Sequence, residues 1–89
     1  MCRSIKTLFN FEPPATDEEV RAAALQFVRK LSGMTAPSKQ NEPAFARAVE
    51  NTYRIARALV DSLVTTSPPK NRELEAARAK LRSAARFAR

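Results

Sequence analysis

Eighty-nine residues and 9.9 kDa make one small domain, and area scaling shrinks about 14,400 Å² of unfolded surface to about 5,200 Å² on folding. Apolar residues are 44 % of the chain and charged residues 28 %, with one Gly and six Pro, which excludes collagen-like and low-complexity classes. Zero His and one Cys exclude most metal and imidazole chemistry, while 16 Lys and Arg against nine Asp and Glu leave +7 and a pI near 10.5.

The chain opens with an aromatic arm, Ile5-Lys6-Thr7-Leu8-Phe9-Asn10-Phe11, too short for a free helix. Left bare, Leu8, Phe9 and Phe11 would form an apolar patch of the kind soluble monomers avoid. The arm is therefore expected to lie extended across the groove between the first two helices. Pro13-Pro14 ends it, and Pro68-Pro69 makes a second stiff connector further on.

A helix over 17–31 has the clearest start signal. Thr16 is the N-cap and Glu19 completes a capping box, with Asp17 and Glu18 complementing the positive end of the dipole. Val20, Ala23, Ala24, Phe27, Val28 and Leu31 recur at helical spacing, and Gly33 stands where a left-handed C-cap is wanted.

Residues 34–40 form a connector around Pro37 and Ser38, and Asn41 is placed to cap a second helix over 42–64. Its expected buried face runs Phe45, Ala48, Val49, Thr52, Ala56, Leu59 and Leu63, with Ile55 and Val60 on one flank and Tyr53 at the edge. Thr65-Thr66-Ser67-Pro68-Pro69 ends that helix, and Asn71 can cap a third over 72–86. Leu74, Ala77, Leu81, Ala84 and Ala85, continued by Ala88, make a narrow stripe that buries little area, so this helix needs a partner or docks weakly. Leu74, Leu81 and Ala88 fall seven apart, too short a repeat for a coiled coil.

Charge follows the same division. Residues 65–89 hold seven basic side chains against Glu73 and Glu75, a local +5. Arg78, Arg82, Arg86 and Arg89 fall along one side of the third helix with Lys80 outside the row, the electrostatic footprint of a phosphate-backbone binder. Only Phe87 is interleaved with them, which disfavours base stacking. The expected architecture is an all-α, three-helix single domain over 1–89. It divides into an arm at 1–16, a helical hairpin at 17–64, a Pro-rich connector at 65–71 and a basic helix at 72–89.

The stretch MCRSIKTLFNFEPPATDEEVRAAALQFVRKLSG, with PSKQNEPAF and DSLVTTSPP after it, resembles a family of short uncharacterised bacterial proteins, a domain of unknown function. The resemblance spans essentially the whole chain and implies bacterial origin and a small helical fold. It brings no catalytic or binding residues with it. Other members carry Lys where this chain has Ala36, so no binding role passes to that position.

With Gly33 as the sole glycine, no phosphate-cradling loop of the nucleotide-binding kinds can form. Zinc ribbons and histidine-bearing metal sites lack their ligands. Glu12, Asp17, Glu18 and Glu19 cluster, yet capping and dipole complementarity already account for three of them. Ser38, Lys39 and Asn41 beside free helix amides could draw an anion, a tendency that Glu42 opposes. Cys2 is the residual enzymatic candidate, through a free N-terminal amine acting as base beside its thiol if Met1 is removed. The expectation is nevertheless no enzyme, no cofactor and no metal.

Lacking a disulfide partner, a secretory apolar run, a membrane span, a myristoylation glycine or a prenylation box, the chain reads as cytoplasmic. The leading functional expectation is a non-enzymatic protein-interaction or oligomerisation module, with a protein partner or a second copy docking on Leu74, Ala77, Leu81, Ala84 and Ala85. The alternatives are sequence-independent nucleic-acid binding through Arg78, Lys80, Arg82, Arg86 and Arg89, and chemistry at Cys2.

Overall fold

A capping box starts the first helix as its sequence demands. In the computed structural model, which describes residues 5–87 and side chains as far as Ala85, the Glu19 amide donates to Thr16 Oγ1 at 3.2 Å. The Thr16 amide donates back to Glu19 Oε1 at 3.0 Å, and helix α1 runs from Asp17 to Ser32. Gly33 closes it with φ 72° and its amide on Arg29 O at 2.9 Å. A Cβ added at Gly33 would meet no atom within 4 Å, so only the left-handed backbone resists substitution. Gly33→Ala is expected to cost about 1 kcal/mol and to lower the thermal midpoint by about 4–8 °C, read by circular dichroism.

The connector carries a short 3₁₀ turn, Lys39–Asn41, that leads into helix α2, Glu42–Ser62. Asn41 does not cap α2 with its side chain. Its amide bonds Ser38 O and its Nδ2 donates to Ser38 Oγ, because the helical turn has already begun upstream of it. Strand β1 (Phe11–Glu12) and strand β2 (Lys70–Asn71) form a two-residue parallel pair with Phe11 opposite Lys70. Asn71 caps helix α3, Arg72–Phe87, by accepting the Leu74 amide at 2.9 Å. The fold is all-α apart from that pair, with helix limits within two residues of those read from sequence.

Helices α1 and α2 pack antiparallel. Arg57 of α2 reaches back to the start of α1, donating to Ala15 O at 3.1 Å and lying 3.4 Å from Asp17. Further along, Arg21 pairs with Glu50 at 2.7 Å and stacks over the Tyr53 ring at 4.1 Å. Arg57 is itself clamped by Asp61 at 2.6 Å on the same helix face. These pairs mark one side of the α1–α2 seam.

Among the described residues the buried core is Ala15, Val20, Ala24 and Val28. It is smaller than the apolar periodicity implies. Phe27 and Leu31 of α1, and Leu59 and Leu63 of α2, are exposed, while Val60, Tyr53 and Arg57 are half-buried instead. Helix α2 has turned toward its Arg57 side to make the ion pairs with α1. Among the described residues, no element covers the other flank of the hairpin.

The arm also departs from expectation. Instead of crossing the α1–α2 groove, it runs on the far side of α1. There Leu8 shares a hollow with Ala22, Ala23 and Gln26, and Lys6 lies 3.7 Å from Glu19. Backbone pairing to the second Pro-rich connector holds it there. The Lys70 amide donates to Asn10 O at 2.8 Å, and Asn10 Nδ2 donates to Pro68 O, with Asn10 in the left-handed region at φ 66°.

Candidate functional site

Arg72, the first residue of α3, is fixed by β2 beside the start of α1, where its guanidinium bonds Glu19. Glu19 thus serves three elements: it closes the capping box of α1, holds α3, and faces Lys6 of the arm. The Thr16 backbone bond, then the Arg72 guanidinium, pull its carboxyl down from the ordinary 4.5 to about 2. Glu50 is likewise held below its ordinary value, chiefly by its bond from Arg21. The short range of sequence signals explains why the Glu19–Arg72 pair was not read: its members lie 53 residues apart.

Beyond this anchor α3 leans away. Between its inner side and the arm lies an open cleft of about 290 Å³, floored by Leu8, Phe11, Ala76 and Ala79. A closely packed helix would leave no space of that size beneath it.

Helical geometry, at about 100° per residue, puts the expected stripe on the opposite side. Ala76 and Ala79 face the arm, so Leu74, Ala77, Leu81, Ala84 and Ala85 face outward, and all five are exposed. Leu81 is 70 % exposed and Leu74 49 %, so the ridge carries two large apolar side chains in water. The structure therefore brings the sequence-predicted stripe together as one continuous ridge.

The cations are not gathered in this way. Arg78 sits 3.4 Å from Glu75 of its own helix. Arg82 lines the cleft, and Lys80 is exposed on the other edge of the leucine ridge. The side chain of Arg86, together with Arg89, Ala88 and Cys2, lies outside the described residues. Of the carboxylates at the start of α1, Asp17 and Glu19 are committed to Arg57 and Arg72.

A second apolar surface was missed from sequence. Since the Arg21–Glu50 and Arg57–Asp17 pairs occupy one side of the hairpin seam, the other side presents Phe27 of α1 and Ile55 and Leu59 of α2. Phe27 is 44 % exposed, Ile55 72 % and Leu59 56 %. Half-buried Ala48 and Thr52 of α2 lie on the same flank between these large side chains, making a shallow strip of small residues with bulky ends. The signal was present as the i, i+4 spacing of Ile55 and Leu59, but periodicity does not reveal which flank a neighbour will cover.

A family model described as an uncharacterized conserved protein (DUF2277) matches residues 1–78. The chain belongs to the DUF2277 family. The DUF2277 match takes in the arm, the hairpin and the first turns of α3, including Glu19, Arg72 and Leu74. No curated protein and no solved structure matches the chain. Among the described residues no helix of this DUF2277 protein is long and apolar enough to cross a membrane.

Proposed function

We propose that this protein is a non-enzymatic interaction module whose working surface is the outward ridge of α3 together with the uncovered flank of the hairpin. The observation that carries this reading is the direction of the ridge. Leu74 and Leu81 turn away from the cleft through which α3 faces the arm and the start of α1. Exposed leucines on an ordered helix favour whatever removes them from water, at about 25 cal/mol per Å².

Replacing Leu81 by the photoreactive benzoylphenylalanine tests the reading directly. Irradiation of the full chain is expected to give no crosslink from position 81 to α1 or α2 of the same chain. An adduct confined to one chain, with the crosslink running from position 81 to α1 or α2, would show the ridge tucked into its own subunit and overturn the reading.

Nucleic-acid binding is the weaker alternative, because Arg78 is engaged with Glu75 and Lys80 stands apart from Arg82 across the ridge. Salt separates the two. Phosphate contacts lose affinity with rising salt, with a log–log slope of about 0.9 per phosphate. Association through the apolar ridge of a +7 chain should hold or tighten as its self-repulsion is screened.

A further inference from the structure

The chain exposes 7221 Å², and a compact monomer of its mass exposes about 5,200 Å². Its radius of gyration is 15.7 Å, where about 12 Å is usual for this length. The excess, on the order of 2,000 Å² per chain, is what each half of a permanent homodimer hides, since such interfaces bury about 2,000–5,000 Å² in total.

The two uncovered features are also complementary. The hairpin has a shallow apolar trough, bounded by Phe27 toward one end and by Ile55 and Leu59 toward the other, that no described element covers; α3 is a helix with a ridge, Leu74 to Leu81, that lacks a floor. Within one subunit they cannot meet. Arg72 and β2 hold the base of α3 on the far side of α1, and its ridge faces outward. A second copy offers each feature its missing counterpart through a two-fold axis, so the same contact forms twice and the assembly closes.

We propose that the occupant of this surface is a second copy of the chain, with α3 of each copy laid across the Phe27–Ile55–Leu59 trough of the other. The inference rests on the interaction-module reading and adds the partner and the surfaces that meet. Pairing of two α3 ridges with each other would be a different dimer. It would leave both troughs open and bury only a narrow Leu and Ala seam.

Two measurements on the full chain test it. Light scattering across a sizing column should give twice 9.9 kDa at about 10 µM chain. In a Cys2→Ser background, Leu81→Cys mixed with Ile55→Cys should then form a disulfide-linked dimer under mild oxidation, and neither variant should do so alone. Both positions are exposed, so neither substitution threatens the subunit fold. A covalent dimer of the Leu81→Cys chain by itself would mean ridge-to-ridge pairing and overturn the proposal. A monomer at about 100 µM would overturn it too, yet would leave the interaction-module reading standing if position 81 still gave no crosslink within its own chain.

Discussion

Leu81→Glu is expected to turn the proposed dimer into a stable monomer with unchanged helix content. In the isolated subunit the side chain at 81 is 70 % exposed, so a glutamate there disturbs no internal contact and keeps good helix propensity. In the assembly it would be pressed into an apolar trough. Each interface loses the burial of one leucine, about 2 kcal/mol, and must also desolvate a carboxylate. Two-fold symmetry applies that loss twice, so dissociation should strengthen at least about a thousandfold. Sedimentation velocity of wild type and variant at matched concentration gives the comparison. Lys80→Glu is the control, because it puts the same charge on the neighbouring edge and should leave the dimer intact. A Leu81→Glu chain that remains dimeric would remove the ridge from the interface. A lowered thermal midpoint at concentrations where the wild type is also monomeric would place the ridge inside its own subunit.

What the sequence made legible, and what it did not, divides by range. Thr16 with Glu19, Gly33, and Asn71 before the third helix are local chemistry, and each appears as its residue type requires: capping box, left-handed cap, side-chain cap. Asn41 is the instructive exception. Its residue type is right, but a 3₁₀ turn begins at Lys39 and consumes the geometry that capping needs. Periodicity placed Val20, Ala24 and Val28 on the buried side of α1, but in α2 the packed side is shifted toward Tyr53, Arg57 and Val60. It could not say that Phe27 and Leu59 would stay uncovered, because that depends on where α3 goes. The direction of α3 depends in turn on Arg72 meeting Glu19 and Lys70 meeting Asn10, contacts between segments with no sequence signal in common. The ridge was readable as a ridge; the trough that suits it was readable only once the hairpin had been assembled.

Removing the Glu19 carboxylate should have the largest effect on subunit stability, and the choice of replacement separates its two duties. Glutamine can still accept the Thr16 amide, so Glu19→Gln keeps the capping box and loses the charge facing Arg72 and Lys6. Alanine loses both. Losing a cap bond costs about 1 kcal/mol, and stranding a partly buried guanidinium costs about 1–2 kcal/mol more. Arg72 has little to fall back on, as its Nε is already sealed from solvent without an acceptor. Glu19→Ala should therefore lower the thermal midpoint by about 10 °C and Glu19→Gln by about half of that. Acid gives an independent check with a definite sign. The folded carboxyl titrates near 2 against an ordinary 4.5, so the folded state binds the proton less readily than the unfolded chain. Its contribution is complete above about pH 4.5 and declines as the pH falls toward 2. Urea midpoints of the wild type should drop through that window more steeply than those of Glu19→Gln. Parallel profiles would mean that neither the Thr16 bond nor the Arg72 guanidinium favours the charged Glu19 carboxylate in the folded chain.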